Sequence, residues 1–130
     1  MQLESPQKNI QKSQEEVYYF LTDVKNFEQL MPETISKFEV LAENRFVFAL
    51  KGMPEIILDL KDATPHQQVI YGAASDKIPF TLMAEIEAVG TQESQVQMHF
   101  EGEFNAMMSM MIKAPIKKFL ETLVTNLQGI

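Results

Sequence analysis

Two histidines, a group of glutamates and one run of methionines are the side chains in this 130-residue sequence whose types and spacing can do chemistry. His99 lies in the run Gln95-Val96-Gln97-Met98-His99-Phe100-Glu101, and an imidazole near Glu101 or Glu85 has the acid–base range of a general base. The alternation that puts Val96, Met98 and Phe100 on one face puts His99 on the other, so pairing with carboxylates on a solvated strand surface is the plainer reading. His66 follows Pro65 in a turn and reads as an exposed loop residue. Glu85, Glu87, Glu101 and Glu103 share one hairpin face, where carboxylates can in principle hold a divalent cation. No Asp-rich loop or glycine turn accompanies them, so they read as a solvated face that resists aggregation, and no metal is expected. Asp23 and Asp59 are lone carboxylates, and no pair is placed for glycoside hydrolysis.

Four of nine methionines, Met107, Met108, Met110 and Met111, surround Ser109. Methionine is unbranched and repacks readily, so this run is either an adaptable wall for a ligand of variable shape or a flexible filler of an irregular core. Tyr71 is the one polar-tipped side chain on an expected inner face; its hydroxyl can orient a ligand or a water, or bond to a backbone carbonyl. The G-x-G-x-x-G, P-loop and G-x-S-x-G patterns are absent, which removes the usual signatures of nucleotide binding and serine hydrolysis. With no cysteine there is no disulfide framework, thiolate metal site or cysteine nucleophile. No cofactor is expected.

Composition narrows the class further. At 45% apolar and 22% charged residues the chain is an ordinary globular one, and its length favours a single domain over residues 1–130. A net charge of −7 repels phosphate backbones and anionic lipid surfaces, so nucleic acid is not the expected partner. The N-terminal residues carry no basic segment followed by an apolar run, and no stretch approaches the roughly 18 apolar residues of a membrane span. A cytoplasmic protein without stable membrane insertion is expected.

The elements that must position these groups follow from caps and periodicity. Ser13 with Glu16 three residues on has capping-box spacing, and Val17, Phe20, Leu21 and Val24 make one apolar stripe behind it. Asn26 with Gln29 opens a further turn through Phe27, Leu30 and Met31 before Pro32, so a helix–turn–helix hairpin spans residues 14–31. It lacks the basic face that DNA binding requires. From Thr34 to Phe104 the period changes to two, and turn residues divide the stretch into six strands. Phe46, Phe48 and Leu50 alternate with Arg45, Ala49 and Lys51; Ile56, Leu58 and Leu60 with Asp59 and Lys61; Phe80, Leu82, Ala84 and Ile86 with Thr81, Glu85 and Glu87. The segment Gln2 to Lys12, with Pro6, reads as a seventh strand carrying a bulge or lying at an edge. Asn105 caps a final helix from Ala106 to about Leu127, whose apolar face runs from Met108, Met111 and Ile112 through Pro115 to Leu127, and whose proline should kink or loosen one turn. In the last hairpin, inward Ile86 and Met98 share a face only if opposing residue numbers sum to an even value. The shortest such loop is Thr91 to Glu93, which sets Glu85 opposite His99 and Ile86 opposite Met98.

The order of strand, two short helices, six strands and long C-terminal helix, with Ser13-Gln14-Glu15-Glu16-Val17-Tyr18-Tyr19-Phe20-Leu21-Thr22-Asp23 and Asn26-Phe27-Glu28-Gln29-Leu30-Met31-Pro32, resembles the helix-grip (START-like) superfamily over nearly the whole chain. That group takes in StAR-related lipid-transfer domains, the birch-pollen allergen and plant hormone receptors, bacterial polyketide cyclases and dehydratases, and activators of the heat-shock chaperone ATPase. The resemblance implies an α+β fold in which a curved seven-stranded antiparallel sheet grips the long helix around a cavity. It also implies a partner, an apolar or amphipathic small molecule held in that cavity, and not any single reaction; binding without catalysis is the leading expectation. The lining candidates from the sheet are Phe48, Leu58, Tyr71, Phe80, Leu82, Met98 and Phe100; those from the helix are Met107, Met108, Met111 and Ile112. Two alternatives stand beside this reading. One is a cyclase- or dehydratase-like enzyme, for which the inner face offers only Tyr71. The other is a protein-interaction module like the chaperone activators, anchored by outward apolar residues such as Ile57 and Met83.

Overall fold

A computed structural model describes residues 1–52, 55–74 and 80–130. Two short strands, β1 (Gln2–Glu4) and β2 (Lys8–Ile10), precede helix α1 (Gln14–Thr22) and a 3-10 helix over Val24–Leu30. Six strands follow: β3 (Ile35–Ala42), β4 (Arg45–Leu50), β5 (Ile56–Thr64), β6 (Gln68–Ala73), β7 (Phe80–Gly90) and β8 (Glu93–Gly102). Helix α2 (Ala106–Leu127) ends the chain's regular structure. All pairings are antiparallel, in the order β1-β8-β7-β6-β5-β4-β3, with β2 also on the outer edge of β8. Register shifts within the β3–β4, β5–β6 and β7–β8 pairs mark the bulges that bend such a sheet. The α+β, sheet-and-long-helix architecture implied by the resemblance is the one observed.

Local chemistry explains the helix starts. The Glu16 amide donates to Ser13 Oγ at 3.2 Å while the Ser13 amide reaches Glu16 Oε1 at 3.4 Å, so both halves of the capping box are present. Replacing Ser13 with alanine removes the side-chain half of the box; the expected loss is about 1 kcal/mol, read as a lower urea midpoint with an unchanged slope. Asn105 Oδ1 accepts from the Met108 amide at 2.8 Å and opens α2, which remains helical through Pro115. The second half of the predicted α-hairpin is 3-10 rather than α: Asp23 stops α1 in an extended conformation and its carboxylate caps the new turn through the Lys25 amide at 3.1 Å.

The N-terminal segment both breaks and lies at an edge. β1 and β2 pair with β8 on either side of Ser5–Gln7, and one extra residue is inserted between the registers Leu3↔Phe100 and Lys8↔Val96. Ser5 is buried at the break: its Oγ accepts from the Met98 amide at 2.9 Å and donates to the Pro6 carbonyl at 2.9 Å. In the last hairpin the even-sum parity holds, but the loop expected over Thr91 to Glu93 is a two-residue turn, Thr91–Gln92. A bulge between Ala88 and Gly90 absorbs the odd residue within the strand, so Ile86 opposes Val96, Ala84 opposes Met98, Glu85 opposes Gln97 and Met83 opposes His99.

One buried cluster joins the sheet's inner face, α1, the 3-10 helix and α2. Ile116, Phe119, Leu120, Leu123, Val124 and Leu127 are the residues α2 buries, none of them before the middle of the helix. Phe119 stacks on Phe48 at 5.0 Å between ring centroids, and Asn126 Nδ2 donates to the Leu30 carbonyl at 2.9 Å, which fastens that part of the helix to the 3-10 turn. On β4 burial exceeds the alternation: Val47 and Ala49, on the side opposite Phe46 and Phe48, are also buried.

Candidate functional site

Strand phase delivers most of the sheet candidates to the interior. Phe48, Leu58, Tyr71, Leu82, Met98 and Phe100 are all buried, while Phe80 is half-buried. All lie on the consecutive, directly paired strands β4–β8: Tyr71 opposes Leu82, which in turn opposes Phe100, and Ala84 next along β7 opposes Met98. Across the strands this side-chain layer has two flanks of different character.

Towards β3–β6 the layer is filled by rings. Phe46 lies 5.1 Å from Phe27, 5.3 Å from Phe38 and 5.7 Å from Tyr71, centroid to centroid, and Tyr71 meets Phe27 edge-on at 4.9 Å. The Tyr71 hydroxyl donates to the Leu21 carbonyl at 2.9 Å. Its proton is therefore committed to the backbone, and burial, with the Asp23 charge adding, raises its pKa above the ordinary phenol range. Two buried serine hydroxyls are likewise engaged: Ser94 Oγ donates to the Lys12 carbonyl at 3.0 Å, and Ser5 Oγ is held between the Met98 amide and the Pro6 carbonyl.

Towards β7 and β8 packing is looser. Phe80 stacks on Phe100 at 5.4 Å and Phe100 on Phe104 at 6.1 Å. Gly102 permits this: a β-carbon on it would lie 2.6 Å from the Phe104 ring and 2.9 Å from Phe80 Cβ. Beyond these rings the first half of α2 has Met108, Ile112 and Pro115 half-buried, in contrast with the closed packing from Ile116 onward. Met107 and Met111 are 74% and 70% exposed, so they stand on the solvent side of the helix, and Met111 does not continue the buried stripe. The structure therefore packs Phe80, Phe100 and Ile112 with the core, half-buries Met108 and leaves Met107 and Met111 exposed.

The outer face is polar. His99 lies there as its strand phase requires, with Nδ1 3.6 Å from Glu4 Oε2 and Nε2 3.6 Å from Glu85 Oε1. Glu85 reaches it diagonally, since the residue directly opposite is Met83. Arg45 donates twice to Asp59, at 2.6 and 2.9 Å, and these bonds hold the Asp59 carboxyl below its usual range. A groove of about 470 Å³ is lined by Gln7, Gln14, Gln67, Gln68, Gln95 and Gln97 together with Glu85 and Glu87. No group of three or more metal-ligating His, Cys, Asp or Glu side chains occurs among the described residues, and no described helix is long and apolar enough to cross a membrane.

His66 departs from the exposed loop residue expected of it. It is half-buried, has a left-handed backbone with φ of 67°, and meets the rings of Tyr18 and Tyr19 edge-on at 5.4 and 5.7 Å. Adjacent tyrosines on α1 are the only local signal for this contact, and nothing in the sequence ties them to a turn so far along the chain.

No protein-family model matches the chain, and no curated protein matches it by sequence. Solved structures do match. A START superfamily protein from Mycobacterium smegmatis is similar over 98% of this chain and 94% of its own, with a TM-score of 0.74 at 16% identity. Norcoclaurine synthase from Thalictrum flavum, solved with dopamine and hydroxybenzaldehyde, aligns over 99% of this chain and 84% of its own, with a TM-score of 0.77 at 7% identity. A protein of Thermus thermophilus aligns over 99% of this chain and 95% of its own, with a TM-score of 0.72 at 12% identity. Identities this low speak for a shared arrangement of sheet and helices and not for a shared reaction.

Proposed function

Because this chain has the helix-grip fold, we propose that residues 1–130 form one ligand-binding domain that takes an apolar or amphipathic small molecule between the sheet and the first half of α2, without catalysis of its own. The observation that carries this reading is the unequal packing of α2. From Ile116 onward its apolar residues are sealed onto the core, whereas Met108, Ile112 and Pro115 stay half-buried, and the Phe80, Phe100 and Phe104 stack leads into the start of the helix. An apolar wall of this kind, with an adaptable thioether at its rim, suits a ligand recognised by shape and hydrophobicity. The engagement of Tyr71, Ser5 and Ser94 with backbone groups supports binding over proton transfer, since none of these hydroxyls is free to act on a substrate.

Native mass spectrometry of the purified protein, followed by denaturing extraction, tests the proposal. The expected result is a co-purifying apolar compound near unit stoichiometry, or a saturable rise in melting temperature with a member of a panel of fatty acids, sterols and aromatic polyketides. An empty protein that none of the panel stabilises would overturn it.

A further inference from the structure

Helix α2 opens with four thioethers in five residues, and three of them do no packing. Met107, Met110 and Met111 are spaced i, i+3, i+4, which places them on one side of the helix with β-carbons about 5–6 Å apart. Met110 is 82% exposed, more than either of its two neighbours, while Met31 and Met98 are buried in the core. Gap filling is thus the work of other methionines, and these three present their sulfurs to solvent. The Asn105 cap fixes the turn that carries them, and the three rotatable bonds of each side chain let the sulfurs converge on one point.

We propose that Met107, Met110 and Met111 form a thioether site for Cu(I). Soft, neutral sulfur donors select soft monovalent cations over hard divalent ones. The helix reinforces that choice: from Ala106 to Leu120 it carries no Asp or Glu, and Lys113 follows within a turn, so its own side chains offer no oxygen ligand of the kind Mg²⁺ or Ca²⁺ takes. The chain has no cysteine to outcompete a thioether, and its two histidines lie elsewhere, His66 in the β5–β6 turn and His99 on the outer face of β8. Binding is coordination alone, with no change of oxidation state, and all three side chains are open to solvent.

Silver(I), a redox-inert soft cation, is the first probe. Titrating silver nitrate in chloride-free buffer into protein with ¹³C-labelled methionine methyls should shift the Met107, Met110 and Met111 signals, saturating at one equivalent, and leave Met31 and Met98 in place. Anaerobic competition for Cu(I) against bicinchoninate then compares wild type with the triple variant Met107→Leu, Met110→Leu, Met111→Leu. Leucine keeps the size and helix preference of exposed methionine, so the variant should melt as wild type does. The expected result is at least a tenfold weaker Cu(I) affinity in the variant. Silver shifts spread evenly over all the methionines, or a triple variant that competes as well as wild type, would overturn the proposal.

Discussion

Replacing Phe46 with alanine is expected to destabilise the protein by about 3–5 kcal/mol, the range for deleting a buried ring. Phe46 is fully buried on β4, stacked on Phe27 and Phe38, 6.1 Å from Phe48 and edge-on to Tyr71. Those rings come from the 3-10 helix and from strands β3, β4 and β6, so no single element can move inward to refill the space. A domain of this size has about 5–15 kcal/mol of total stability, which leaves the variant close to unfolding at room temperature. Urea denaturation checks the figure, and Phe46→Leu should recover more than half of the loss. A cost below about 1 kcal/mol would mean that the ring cluster is not rigid.

Tyr71→Phe should cost about 1–3 kcal/mol at neutral pH, because the Leu21 carbonyl loses its partner inside the core. The same variant should change the alkaline limb of stability. Burial raises the Tyr71 pKa in the folded protein above the 10.0 of a free phenol, so above that pH the unfolded chain releases a proton that the native state retains. The contribution is complete below about pH 10 and is lost as pH rises toward the folded pKa, at about 1.4 kcal/mol per pH unit. Phenylalanine cannot titrate, so the stability gap between wild type and variant should narrow by about that amount between neutral pH and pH 11. Denaturation midpoints at pH 7, 10 and 11 measure it; a gap independent of pH would contradict the burial argument.

Features governed by near neighbours in the chain are legible in the sequence alone. The Ser13 box, the Asn105 cap and the limits of α2 depend on side chains three residues apart, and the inner positions of β6, β7 and β8 depend on strict alternation. The turn at Thr91–Gln92 is not, because a bulge and a longer loop preserve the same parity and differ only in local backbone geometry. Periodicity also places Met111 on the apolar stripe of α2 without revealing that full burial begins only at Ile116. Which stretch of an amphipathic helix is buried depends on what lies beneath it, and that is settled by partners far away in the chain. The candidate site divides in the same way: strand phase identifies Leu58, Tyr71, Leu82, Met98 and Phe100 as inward residues, whereas the backbone engagement of the Tyr71 hydroxyl and the exposure of Met107 are tertiary facts.

The strand pairing also orders events during synthesis. Among the described residues β1 and β2 find their only strand partner in β8, the last of the strands described, with Gln2 set against Glu101. At ribosomal elongation rates the first strand waits roughly 5–20 s for its neighbour to emerge. In that interval the inner face from β4 to β7 has neither its edge strand nor the helix that covers it. The nascent chain is therefore at its most adhesive until β8 and α2 emerge, and a chaperone that shields apolar strands has its widest opportunity while they are being translated.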